Sequence, residues 1–288
     1  MNYIIKSEKL TATITDVGAE LLSVVGADGH EYIWCGDERY WEDRAPVLFP
    51  TCGSLFKNTY TYDGKSYQMF IHGFAGKSLF KVVSAEEDKI TLSLSANEKT
   101  KEQYPFDFEL VAEYSVTNNE LNASFTVKNT GSDVLPYMFG WHPGFVLEGD
   151  ESVEAFEVRF DNKKELDWHR LFRPAGICPF PLNYHLENSA YVINEDELYS
   201  NDTMIFRGTG EHAILTSPKS VHTVDISWSK NLPVFCIWKF ESSDARFVCL
   251  EPWSDSPGCG VPEDFSTKKM SRLSIGAKET YCYNVKFS

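Results

Sequence analysis

Residues 233–253 read PVFCIWKFESSDARFVCLEPW. Two apolar runs flank a short polar stretch, so the segment predicts an antiparallel hairpin closed at Ser242 to Ala245. If Glu241 opposes Arg246, then Trp238 opposes Cys249 and Cys236 opposes Glu251. Period-two alternation then puts Cys236, Trp238, Phe240, Phe247, Cys249 and Glu251 on one sheet face. A slip of one residue would undo that arrangement. Glu251 follows four apolar residues and precedes Pro252. A carboxylate ending a buried run is costly unless it is paired, hydrogen-bonded or protonated. An apolar, aromatic face raises its pKa and suits a general base working near neutral pH. The plainer alternative is a strand-end glutamate facing solvent.

The rest of the chain repeats the strand-and-turn rhythm. KLTATITDVGAELLSVV (9–25) alternates with period two, and Asp28-Gly29 marks a turn before EYIW. TYTYDGKSYQMF (59–70) is a predicted hairpin with Asp63-Gly64 at its tip. KITLSLSA (89–96), FELVAEYSV (108–116) and LNASFTVKN (121–129) are three further strands, the last two joined at Asn118-Asn119. RLSIGAKETYCYNVKF (272–287) reads as two strands around Gly276. Helical candidates are short and weak, around 37–42 and 195–199. Turn signals every 8–12 residues predict an all-β fold, a large antiparallel sandwich or barrel. Nothing resembling a linker or repeat divides residues 1–288, so one domain is expected. Residues 161–202 hold three prolines and little alternation; they predict a long loop over the rim of a sheet, walling a cleft.

Composition narrows the function. Lys and Arg number 27 and Asp and Glu 42, a net charge of −15. That argues against nucleic acid and against an anionic membrane surface as partners. No apolar run approaches the roughly 20 residues of a membrane span, and MNYIIKSEKL does not read as a signal peptide. The seven cysteines are scattered and mostly in apolar contexts, which predicts reduced core thiols and a cytoplasmic protein. No CxxC, HExxH or EF-hand spacing occurs, so no cofactor and no dedicated metal site are expected. Aromatic residues make up 14 % of the chain and suit both strands and the floors of sugar-binding clefts.

A second stretch carries chemistry: Gly140-Trp141-His142-Pro143-Gly144-Phe145. The residue before proline is pushed to extended geometry, and the flanking glycines admit close neighbours. His142 is thus a candidate acid or base on a stiff segment; a packed core histidine is the plainer alternative. Arg44, before the apolar run Ala45-Pro46-Val47-Leu48-Phe49, is a candidate for sugar hydroxyls or a carboxylate, against an ordinary surface arginine. His72 stands at a strand end beside Gly73. Asp202 ends the long irregular segment, where Asn-Asp is also ordinary turn chemistry.

These pieces together resemble the aldose 1-epimerase (galactose mutarotase-like) family, and within it the LacX-like branch. The matching stretches are GAELLSV, EYIWCGD, APVLFPTCG, YQMFIHGFA, GWHPGF, NDTMIF, FCIWKF and FVCLEPW, in order over residues 18–253. The resemblance implies a β-supersandwich with a sugar cleft on one concave sheet. It implies that His142, of the HPxF motif, is the general acid and Glu251, of the EPW motif, the general base. It further implies substrate-binding roles for His72, Arg44 and Asp202, with Trp238 on the same face as the base. The chain departs from the pattern at residue 76, Gly where related sequences usually carry Arg. Lys77 is the basic residue left beside it, and a point charge is not a bidentate fork.

The implied reaction is interconversion of the α and β anomers of a hexose or hexose derivative by ring opening and closure. It asks for one acid and one base on opposite sides of the anomeric centre, each within hydrogen-bond reach, and no metal and no nucleotide. Two other readings compete. A non-catalytic sugar-binding protein on the same fold would bind sugar without exchanging anomers. A β-sandwich glycoside hydrolase would need a second carboxylate beside Glu251, for which Asp202 is the best candidate.

Overall fold

The computed structural model describes residues 1–149, 152–172, 176–256, 258 and 261–288. Two large antiparallel sheets pack face to face. The nine-stranded sheet runs in the order 190–192, 157–160, 212–216, 224–228, 278–287, 120–129, 108–117, 89–95 and 81–85. Its centre is built by Phe108–Thr117 and Glu120–Asn129, which alternate buried and half-buried residues almost without a break. That alternation puts Leu110, Ala112 and Tyr114 in the core against Phe125 and Val127.

The eight-stranded sheet runs in the order 182–185, 165–168, 203–207, 234–238, 247–253, 140–141 and 47–48, and Gly144–Val146 also pairs with Phe247–Trp253. Aromatic rings lock the two sheets together. Phe235 meets Phe160 at 5.4 Å and Trp228 at 4.9 Å between ring centroids. Trp141 meets Tyr283 at 5.2 Å, and Phe139 stacks on Tyr281 at 4.6 Å. Phe235 and Ile237 thus face the core, so the alternate residues Cys236 and Trp238 face away from it.

The hairpin has the register the sequence predicts: Cys236 opposes Glu251, Ile237 opposes Leu250 and Trp238 opposes Cys249. Its turn closes through the Ala245 N–H donating to the Ser242 carbonyl at 3.1 Å. The predicted strands at 10–26, 59–68, 89–95, 108–129 and 271–287 are all present.

Three expectations are corrected. Residues 161–202 are not one long loop. Glu165–Trp168 and Leu182–His185 add two strands to the eight-stranded sheet, and Ala190–Val192 joins the other. Leu182–His185 has no buried residue, Glu165–Trp168 buries only Leu166, and Ala190–Val192 is three residues long, so no apolar alternation marks a strand. Residues 37–42 make a turn and no helix. The helix at 195–201 forms, and a second one, Glu98–Gln103, is closed by an Asn97–Thr100 capping box. Among the described cysteines only Cys52, Cys236 and Cys249 are buried; Cys35 and Cys282 are exposed, Cys178 is half-buried, and Cys259 lies outside the described residues. No helix among the described residues is long and apolar enough to cross a membrane.

Candidate functional site

Glu251 and His142 meet on the outer face of the eight-stranded sheet. Every residue of Phe247–Trp253 is buried, because the face turned away from the core carries its own aromatic cover. Phe247 stacks on Trp34 at 4.5 Å and on Trp41 at 5.3 Å. Trp41 in turn packs on Trp238 at 5.3 Å and on His142 at 5.0 Å. Gly144 permits this packing: a Cβ there would stand 2.9 Å from the Trp41 ring and 3.2 Å from Phe247.

His142 is held by its backbone. Its N–H donates to the Pro46 carbonyl at 3.1 Å, and the Gly144 N–H donates to the Arg44 carbonyl at 2.8 Å. The 44–46 segment is fixed from beneath by Glu20, whose Oε1 accepts the Arg44 and Ala45 N–H groups at 2.7 and 3.0 Å. His142 Nε2 stands 3.2 Å from Glu251 Oε2. Yet among the described residues neither Glu251 oxygen, nor His142 Nδ1, has a hydrogen-bond partner. Two orphaned buried groups side by side are exceptional in a folded chain and are suited to a polar ligand.

Burial governs their protonation. It pushes the Glu251 carboxyl well above the usual carboxylate range, and the charge of Asp202 raises it further. The Trp253 indole N–H tempers that rise without forming a hydrogen bond of good geometry. Burial pulls His142 well below the usual imidazole range, and neighbouring His72 adds to the effect. Both groups are therefore driven toward their neutral forms.

The other expected residues are placed differently. His72 packs edge-on against His142 at 5.3 Å. Its Nδ1 accepts the Gly53 N–H at 3.1 Å, so the neutral ring carries its proton on Nε2, which is left to donate. Asp202 caps the Glu195–Asn201 helix with φ of +64° and lies near enough to Glu251 for its charge to be felt. The helix is anchored by buried Lys239, whose Nζ meets Glu195 Oε1 at 2.9 Å. Trp238 sits 5.5 Å from His142, ring to ring. Arg44 donates from one guanidinium nitrogen to the Leu22 carbonyl at 2.7 Å, and its own carbonyl accepts the Gly144 N–H beside His142. Lys77 is exposed and paired with Asp43 and, at 3.3 Å, with Glu42. Trp34 and Trp41 lie more than 200 residues before Phe247, and no local signal in the sequence points to their place over it.

Among the described residues, two groups of side chains have the donors to hold a metal ion: His142, Cys249 and Glu251 within the site, and His30, Glu148 and His222 outside it. In the second group both ring nitrogens of His222 are already 2.8 Å from carboxylates, of Glu148 and Asp28.

Two predictions arise from His72-Gly73. Gly73 has φ of +75°, and a Cβ on it would lie 2.3 Å from the Phe49 carbonyl oxygen. Gly73→Ala is expected to destabilise the protein by about 3 kcal/mol, read as a lower midpoint in urea; an unchanged midpoint would contradict this backbone fit. His72 is held at about 4, below its usual 6.5, by burial. The unfolded chain thus binds its proton first as the solution is acidified. The associated stability is complete above pH 6.5 and is lost as pH falls toward 4. His72→Gln is expected to flatten the fall in unfolding free energy over that window, measured by denaturation at several pH values. An unaltered slope would assign the acid sensitivity elsewhere.

The sequence profile of the aldose 1-epimerase family matches residues 1–264. The chromosomal LacX protein of Lactococcus lactis subsp. lactis is 29 % identical over 270 residues, spanning 88 % of each chain. A galactose mutarotase related enzyme from Lactobacillus acidophilus superimposes with a TM-score of 0.91 at 28 % identity, covering 100 % of this chain and 97 % of that one. A galactose mutarotase-like protein from Lactobacillus casei ATCC 334 gives the same score and identity, covering 100 % of both chains.

Proposed function

This chain belongs to the aldose 1-epimerase family, and from that premise we propose that it interconverts the α and β anomers of an aldose, with Glu251 as general base and His142 as general acid. The observation that carries the reading is the buried, orphaned pair 3.2 Å apart. The hydroxyl oxygen and the ring oxygen of an anomeric centre share one carbon. An acid and a base can serve both from one side, and the 3.2 Å contact replaces the expected placement on opposite sides of the anomeric centre.

The protons balance as follows. Ionised Glu251 removes the proton of the C1 hydroxyl. Protonated His142 gives a proton to the ring oxygen, and the C1–O5 bond opens to the aldehyde. Both side chains are now neutral, the state that burial favours. Rotation about C1–C2 presents the other face of the carbonyl. Ring closure returns both protons to their starting places and gives the other anomer.

His72 Nε2–H and the Asp202 carboxylate are proposed to hold sugar hydroxyls. The Trp41 and Trp238 rings offer an apolar wall for a sugar face. The remaining guanidinium donors of Arg44 are proposed for a sugar hydroxyl, while its backbone supports the His142 segment. Lys77 is the weakest of the proposed binding residues, since two carboxylates already hold it.

The test is anomer exchange by NMR with galactose, glucose and their 6-phosphates. Acceleration of one sugar supports the reading. Saturable sugar binding with no acceleration would replace it with the non-catalytic sugar-binding alternative.

A further inference from the structure

Three buried thiols surround the Glu251 carboxylate. Cys236 opposes Glu251 directly across the hairpin, and Cys249 precedes it by two residues on the same strand face. Cys52 comes from the 47–53 segment, and like the other two it feels the charge of Glu251. One of these, Cys249, completes a set: its sulfur, a nitrogen of His142 and an oxygen of Glu251 all lie within 4.8 Å of one another. Neither the family chemistry nor the proton transfers above use a thiol.

We infer that Cys249, His142 and Glu251 form a binding site for a thiophilic divalent ion, Zn²⁺ or its congeners, in the place the sugar would occupy. The donor set is sulfur, imidazole nitrogen and carboxylate oxygen, which selects borderline and soft ions over Mg²⁺ and Ca²⁺. Bond lengths of about 2.0–2.3 Å to such donors put the ligand atoms roughly 3.3–3.8 Å apart, so the side chains need to close by about 1 Å. The charge is balanced: a thiolate and a carboxylate neutralise a 2+ ion, and neutral His142 adds none. A neutral complex is the form a buried site tolerates. The orphaned Glu251 oxygens, nine-tenths buried or more, gain the partner they lack. Binding releases the thiol proton and any proton carried by the carboxyl. Three protein ligands leave a fourth position open toward the half-buried Trp41 and Trp238. The ion and a sugar cannot both engage Glu251 and His142, so the ion acts as an inhibitor; only this competitive consequence rests on the anomer-exchange reading.

The test uses the reduced, metal-free full chain titrated with Co²⁺. The expected result is a thiolate-to-cobalt charge-transfer band that saturates, is displaced by Zn²⁺, and is lost in Cys249→Ser and Cys249→Ala. Both variants are expected to keep wild-type anomer exchange, and Zn²⁺ inhibition in them to weaken at least roughly tenfold, the loss seen when even an outer partner of a metal ligand is removed. No band in the wild type, or an undiminished band in both variants, overturns the site. A Cys249-dependent band in a protein that exchanges no anomers leaves the metal site standing and overturns the epimerase reading. Exchange without a band does the reverse.

Discussion

Glu251→Gln is expected to slow anomer exchange by about 10²–10⁴-fold, the range over which a positioned proton-transfer group acts. The amide keeps the shape of the side chain and removes its ability to take a proton. The same substitution is expected to leave the protein at least as stable as the wild type. Glu251 is 1 % exposed and its oxygens make no hydrogen bond among the described residues. Burial raises its pKa, so the sign of its linkage runs opposite to that of a salt-bridged carboxylate. The folded chain binds its proton more tightly than the unfolded one. Its stabilising share is therefore present at low pH and is lost as pH rises above the ordinary 4.5 toward the raised value. Gln removes that loss, so the variant should gain stability relative to the wild type at alkaline pH. A rate near wild type would remove Glu251 from the chemistry. A sharp drop in melting temperature would show that the carboxyl is structural.

His142→Asn is expected to cost a similar 10²–10⁴-fold in exchange rate. Acid and base act on two oxygens of one carbon, so losing either stalls the same event. The double variant should accordingly be little slower than either single one, as groups acting as a unit are far from additive. Stability is expected to fall only modestly, by about 1 kcal/mol, because the backbone of the 142 segment keeps its bonds to Pro46 and Arg44. The measurement is exchange rate and denaturation on both single variants and the double. If His142→Asn stayed active while His72→Gln did not, the acid would be His72, whose ring is 5.3 Å away.

The hairpin at 233–253 was legible because both its strands are confined: one face meets the core and the other meets aromatic rings, so register has one answer. His142 was legible through Pro143 and its glycines, which restrict backbone in ways the sequence states outright. The outer strands at 165–168 and 182–185 were not. LNYH is the edge strand and has no buried residue, while ELDW, next to it, buries only Leu166. The fate of the Arg44 side chain was also hidden, because the Leu22 carbonyl it binds is brought near only by folding. The same holds for Trp41, whose neighbours Trp238 and Phe247 are about 200 positions away in the chain. Alternation predicts which face a residue takes; it does not predict which distant segment will cover that face.

The tryptophan cluster gives the site its own optical reporter. Of the chain's seven tryptophans, Trp34, Trp41, Trp238 and Trp253 stand around the His142–Glu251 pair. The indole of Trp41 lies 5.0 Å from the His142 ring and 5.3 Å from Trp238. Excited indoles at such separations exchange energy, and a protonated imidazole in contact with one quenches it. The emission of Trp41 and Trp238 is therefore exposed to the group whose proton matters most. Intrinsic fluorescence becomes a direct readout of occupancy and of imidazole charge, with no label attached.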